Sequence, residues 1–265
     1  MQTKPLEILV TNDDGYRSKG ISVLAQLLSF YGNVTVLAPE EVQSGKSAAL
    51  TMEKPLRLEK ISCQIQNNGN SILVYSLNGT PADCVKMAMN KFFDKRKPDI
   101  LCSGINHGSN ASVASVYSGT LGAAAEGTLY GVPSIGLSID THIPSPDFSQ
   151  IEDYIKEIIE KFISAPPKEG VFLNVNFPAI PKEEIKGITF AKQGNGMWIK
   201  EFEQRTDPHG RDYYWMTGEF LDKEENPSGD HKLLKNGYIT IVPHNIDNTD
   251  YTEIERLGTA WNTQK

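Results

Sequence analysis

The sequence predicts an α/β fold, with a mostly parallel sheet covered by helices on both faces and a β-rich appendage after it. Short apolar runs alternate with helix-periodic segments through roughly the first 180 residues. That order brings strands parallel, with helices as crossovers. After Pro178 the texture turns polar, aromatic and turn-rich, with Gly194-Asn195-Gly196 and Tyr213-Tyr214-Trp215 as landmarks of hairpins. We place the core at 1–180. Residues 181–265 form a β-hairpin arm, a returning strand and a C-terminal helix used in oligomerisation, all within one domain overall.

Leu6 to Val10 is the first strand, ending at Thr11-Asn12-Asp13-Asp14-Gly15. Ile21, Leu24, Ala25 and Leu28 recur at helical spacing, and Asn33 to Ala38 is a second strand stopped by Pro39. Glu40 to Ser47 is turn-rich. Residues 50–78 read as extended pieces, with Ile72-Leu73-Val74-Tyr75 the clearest. Pro81 to Phe93 is a helix with proline near its start, and Asp99 to Cys102 is a buried strand that breaks at Ser103-Gly104. The small-residue stretch Thr120 to Tyr130 is a helix packed close to the sheet. Pro133 to Ile139 is a strand, and 151–163 is strongly amphipathic through Ile155, Ile158, Ile159 and Phe162. Phe172 to Val175 and 238–242 are further strands, and Tyr251 to Trp261 is a terminal helix.

Size and composition bound the function. A chain of 265 residues, 39% apolar and 22% charged, buries a full core as a globular protein. A net charge of −7 argues against a nucleic-acid polymer as partner but not against a small phosphorylated substrate, since a bound metal reverses the local sign. No stretch approaches a membrane span. The opening residues lack the apolar segment of a signal peptide, so a cytoplasmic location is expected. Cys63, Cys84 and Cys102 share no ligand spacing and read as reduced, structural thiols.

Chemistry is expected beyond the carboxyl ends of the strands, where open α/β sheets bind ligands. Adjacent carboxylates at Asp13 and Asp14 are costly there unless something positive sits beside them. The alternative is a solvated Asp-Gly turn. Four loops converge on that edge: Asn12 to Gly15, Gln43 to Ser47, Asn78 to Pro81, and Ser103 to Asn106. Two carboxylates with neutral oxygens from a serine and an asparagine suit magnesium or manganese. Ser118, Gly119 and Thr120 open the small-residue helix, where free amides and hydroxyls cradle phosphate, or where a serine simply caps the helix. A nucleoside-triphosphate P-loop at Gly45-Lys46-Ser47 is disfavoured because Glu40 stands where its first glycine belongs. A haloacid-dehalogenase-type site is disfavoured because Gly15 replaces its second acid. Of the five histidines only His107 neighbours a candidate, Asn106; the other four, His142 included, form no ligand spacing.

Together these segments resemble the SurE (survival protein E) family of metal-dependent 5′-nucleotidases and phosphatases. The matching stretches are Ile8 to Gly15, Ala38-Pro39 with Gln43-Ser44-Gly45, Gly79 to Val85, Ser103 to Asn106 with Gly108 and Asn110, and Tyr117 to Ala124. Weaker likeness continues through Leu173 to Pro178 and Tyr213 to Trp215. The resemblance implies a Rossmann-like three-layer core. It implies one divalent cation per subunit, Mg2+ or Mn2+, held by Asp13, Asp14, Ser44 and Asn106, with Asp13 and Asp14 catalytic. Gly45, Asn110, Ser118, Gly119 and Thr120 then become the candidate phosphate and substrate contacts. It also implies homodimers or homotetramers that exchange C-terminal elements. Many relatives carry a glycine and an aspartate where Ser112 and Ala114 stand here.

The expected activity is hydrolysis of nucleoside 5′-monophosphates, with 3′-nucleotides and polyphosphate as further substrates. The alternative is a nucleotide-binding regulatory protein with negligible turnover.

Overall fold

In a computed structural model of the chain, which describes residues 5–141, 143 and 146–261, the first strand β1 (Leu6–Thr11) lies in the middle of a nine-stranded sheet. His142 and most of the opening residues read for a signal peptide, Met1 to Lys4, lie outside the described residues. From β1 the chain runs through α1 (Lys19–Leu28), β2 (Gly32–Pro39), β3 (Leu58–Ile65), β4 (Ser71–Leu77), α2 (Pro81–Lys91) and β5 (Ile100–His107). The one-turn helix α3 (Ala114–Tyr117) leads directly into α4 (Gly119–Leu129), followed by β6 (Ser134–Asp140), α5 (Glu152–Ser164) and β7 (Val171–Pro178). Then come β8 (Ile188–Phe190), β9 (Gly196–Ile199), β10 (Phe202–Thr206), β11 (Asp212–Met216), β12 (Glu219–Asp222), α6 (Asp230–Lys235), β13 (Ile239–Asn245) and α7 (Tyr251–Ala260).

The sheet order is β3-β4-β2-β1-β5-β6-β7-β13-β8. The six strands from β4 to β7 are parallel, whereas β3 and β13 pair antiparallel with β4 and β7. The expected α/β architecture is therefore observed, with β8 and β13 completing the sheet from the C-terminal segment. Side-chain alternation along β1 separates the layers. Ile8 and Val10 face a cluster with Ile21, Leu24 and Leu28 of α1 and Ile155, Ile158 and Phe162 of α5. Leu9 faces the opposite cluster with Val85 and Met89 of α2 and Ala123 of α4. Each of these side chains is more than nine-tenths buried, and burying a large aliphatic group contributes about 1.5–3 kcal/mol.

One local expectation needs correction. β5 does not break at Ser103-Gly104 but continues to His107, its register with β6 slipping between Ser103 and Asn106. Gly104 makes this possible: its φ is +138°, and a Cβ there would lie 2.3 Å from the Leu137 carbonyl oxygen. The result places Asn106 on a strand. The Asn78 to Pro81 turn follows β4 at the same carboxyl edge as the turn after β1, and it also caps a helix. Thr80 Oγ1 accepts from the Asp83 amide and Asp83 Oδ2 from the Thr80 amide, a reciprocal box at the start of α2. The Thr80 hydroxyl also donates to the Ala49 carbonyl, which fixes the extended segment after β2.

Candidate active site

Asp13 and Asp14 follow β1 directly, and a buried asparagine shapes their turn. Asn12 is fully buried, and its Nδ2 donates to the Gly15 carbonyl (3.0 Å) and to Ser18 Oγ (2.8 Å), the residue that caps α1. The turn thus hangs on a neighbouring helix start. From the other side, the Gln43 amide donates to the Asp13 carbonyl at 2.7 Å, drawing the loop after β2 against the pair. Asp14 Oδ2 accepts from the His107 amide at 3.0 Å, which ties the pair to the end of β5.

The start of α4 closes the site. Thr120 Oγ1 donates to Asp13 Oδ1 at 2.5 Å, a charge-assisted contact. Gly119 lets the helix approach this closely, because a Cβ on it would lie 2.8 Å from the Asp13 Cβ. One turn on, a Cβ on Gly122 would lie 2.4 Å from the Ser47 carbonyl oxygen. Small residues at the start of this helix are thus what bring its amino end to the carboxylates. The helix dipole favours negative charge at that end.

The carboxylates are poorly compensated. Asp13 is 3% exposed, and burial pushes its pKa up to about 6, opposed mainly by the Thr120 hydroxyl bond. Burial also raises Asp14, and the His107 amide opposes that shift. Among the described residues no Lys, Arg or His side chain forms a salt bridge with either acid. Among those residues no group of three or more His, Cys, Asp or Glu side chains could hold a metal ion, so a cation here would need neutral oxygens beside the two acids. Two acids with neutral oxygens are instead the donor set of a hard cation that keeps part of its water. Asn106 Nδ2 donates to the Gly108 carbonyl at 2.7 Å, so its Oδ1 is the end not used by that bond.

The remaining candidates fall into two groups. Ser44 and Gly45 lie on the exposed loop that Gln43 pins to Asp13, and among the described residues the Ser44 hydroxyl makes no hydrogen bond. Gly45 has φ +73° and open space around it. Ser118 is buried and caps α4 by accepting from the Leu121 amide at 3.1 Å, so its hydroxyl is partly committed. Asn110 belongs to a buried polar scaffold. Its Nδ2 donates to Ser138 Oγ (2.8 Å), its amide to Asn176 Oδ1 (2.8 Å), and its carbonyl accepts from Asn174 Nδ2 (2.9 Å). No hydrogen bond joins its side chain to Asp13, Asp14, Ser44 or Asn106. Asn174 and Asn176, like Asn12, were not singled out as site residues. The alternation in Leu173-Asn174-Val175-Asn176 sends both amides to one face of a buried strand, which was the available signal.

Comparison with known proteins bears on all of this. A family model described as survival protein SurE matches residues 8–200. A protein of Flavobacterium psychrophilum named 5′-nucleotidase SurE is 41% identical over 263 residues, covering 99% of this chain and all of its own. Another of that name from Christiangramia forsetii is 42% identical over 258 residues, covering 97% of each. The crystal structure of the SurE protein from Aquifex aeolicus superposes with a TM-score of 0.79 at 33% identity, covering 96% of this chain and 99% of its own.

Proposed function

The chain belongs to the SurE family, and from that premise we propose that it is a metal-dependent phosphomonoesterase acting chiefly on nucleoside 5′-monophosphates. The observation that carries this is the Asp13-Asp14 pair, desolvated, without a salt bridge among the described residues, and set against the amino end of α4. Its close relatives are named for 5′-nucleotidase activity.

Asp13, Asp14, Asn106 and Ser44 would hold one divalent cation per subunit, magnesium or manganese. When bound, that cation supplies positive charge to offset charge developing on the phosphoryl oxygens. The chain's own residues do the rest. Asp13 orients the attacking water and takes its proton on a carboxylate oxygen, and the Thr120 hydroxyl holds that carboxylate in one orientation. The α4 start at Gly119 and Thr120 presents backbone dipoles to the phosphate, and Ser118 keeps that turn wound. Gly45, with no side chain and open space around it, allows the substrate to approach the loop that carries Ser44. Asn110 shapes the site from beneath, through Ser138 and the β7 asparagines.

A homodimer or homotetramer, with C-terminal elements exchanged between subunits, fits the exposed aromatic residues of the arm. Among the described residues no helix is long and apolar enough to cross a membrane. The proposed activity is on soluble mononucleotides in the cytoplasm. The test is a phosphate-release screen over 5′- and 3′-mononucleotides and polyphosphate with Mg2+, Mn2+ or chelator. Release that depends on the metal and is greatest for 5′-mononucleotides is expected; tight nucleotide binding with no release would overturn the assignment.

A further inference from the structure

Between Asn106 and the phosphate-facing turn lies a segment, residues 108–118, whose path depends on one residue far away in sequence. Ser112 sits in the left-handed region at φ +56°, is 1% exposed, and its buried hydroxyl has no hydrogen-bond partner. A non-glycine residue in that region costs about 1 kcal/mol or more and persists only when its surroundings hold it there. Here the holder is a fully buried carboxylate. Both oxygens of Asp230 accept from the Ser112 amide, each at 3.0 Å. Asp230 Oδ1 also accepts from the Gly194 amide (2.8 Å) and the His231 amide (2.7 Å). Among the described residues it has no salt bridge, so backbone amides are its compensation.

The consequences run forward along the chain. The Ser112 carbonyl accepts from the Ser115 amide (3.3 Å) and hydroxyl (2.8 Å), starting the turn that becomes α3. At the end of α3 the Tyr117 carbonyl accepts from the Ser47 amide (3.0 Å), and Ser118 then caps α4. Gly194 packs against the same junction: a Cβ on it would lie 3.0 Å from Asp230 Oδ1 and 3.4 Å from the Ser112 Cβ. One carboxylate therefore joins the base of the C-terminal arm to the segment that delivers Gly119 and Thr120 to Asp13.

Resting on the function proposed above, we infer that Asp230 is a positioning residue for that reaction. It holds Ser112 in its left-handed conformation and so sets the register of the phosphate-facing turn. Asp230→Asn keeps the shape but sets an amide against the amide donors that the carboxylate receives. In the full-length protein, with AMP and Mn2+, it is expected to lower kcat/KM about ten-fold with KM rising, while the Mn2+ concentration for half-activity stays unchanged. Adding Ser112→Gly should restore KM, because glycine adopts the left-handed conformation without a holder. Hydrogen exchange of residues 113–120 should quicken in Asp230→Asn and recover in the double variant.

A purely structural Asp230 would lower the melting temperature and the active fraction with KM unchanged; that result, or no recovery by Ser112→Gly, overturns the inference. Should Asp230→Asn fail to fold, Ser112→Thr decides. Its branched side chain disfavours the left-handed region while Asp230 stays intact, so KM must rise, and an unchanged KM refutes the inference. If the wild-type protein releases no phosphate, the function proposed above fails by itself. The exchange measurements then decide the role of Asp230 alone.

Discussion

The rim around Asp13 and the hairpin of β10 and β11 are built on opposite plans. At the rim, polar side chains are buried: Asn12, Asp13, Asn106 and Thr120 are all less than a tenth exposed and each makes a hydrogen bond, while Asn12 Oδ1 and the Thr11 and Ser103 hydroxyls find no partner among the described residues. In the hairpin every residue of both strands is exposed, Phe202, Tyr214, Trp215 and Met216 among them. Helix α7 likewise buries none of its residues, although Ile254 and the adjacent Trp261 stand on its surface. Buried hydrogen bonds fix geometry, and the acids and oxygens they leave uncompensated are what a ligand can satisfy. Exposed aromatic area without a core gains stability when something covers it, which is why the proposed self-association is assigned to this arm. The first region presents buried acids to a small ligand; the second presents apolar area.

The sharpest way to break this contrast is Asp13→Asn. Turnover should fall at least about 100-fold, since the variant removes both a proposed ligand and the base. Stability should move the other way. A carboxyl whose pKa rises to about 6 from 3.8 contributes fully to metal-free stability below about pH 3.8, and loses that contribution as pH rises through about 6. Removing the buried charge should therefore raise the chelator-treated stability at pH 7.5 by up to about 3 kcal/mol. Denaturant melts of both proteins at pH 4 and pH 7.5 check this. Equal pH dependence in the two would show that Asp13 carries no such strain.

A substitution at the helix start comes next. Gly119→Ala sets a methyl 2.8 Å from the Asp13 Cβ, so either the helix or the acid must shift. Loss of about 1–3 kcal/mol in stability is expected, with at least a ten-fold drop in kcat/KM. Asn106→Ala should raise the metal concentration for half-activity about ten-fold, and an unchanged metal titration removes Asn106 from the ligand set. On the arm, Tyr214→Ser with Trp215→Ser should weaken self-association about 30-fold in light scattering. The metal titration should not move, because no contact joins these residues to the rim. The smallest effect belongs to Thr80→Ala. Loss of its capping bonds should cost about 1 kcal/mol of stability while KM for the mononucleotide stays as it was. A raised KM there would make the Asn78 to Pro81 turn part of the site.

Much of the core was legible because it follows from local rules. Ile8-Leu9-Val10 is apolar on both sides, as a central parallel strand must be, and Pro81 with Asp83 announces a helix start. Asp13 and Asp14 stood out because two acids directly after such a strand need compensation. The strand through Ser103 to Asn106 was harder to read. A serine-glycine pair usually ends a strand, and only the neighbouring Leu137 carbonyl shows that Gly104 lets the chain pass. Asn110 was singled out only through the family resemblance, and its partners lie at 138, 174 and 176, beyond any local pattern.

By itself the sequence determined the order of strands and helices, the family, and the acids that sit at the end of β1, since periodicity, turn chemistry and charge act between near neighbours. Only the tertiary structure decided that α4 presses against Asp13, that Asn110 bonds to Ser138, Asn174 and Asn176, and that Asp230 reaches Ser112 across 118 positions. The physical reason is that a hydrogen bond or a close packing contact depends on distance in space. The sequence specifies that distance only after the whole sheet has formed.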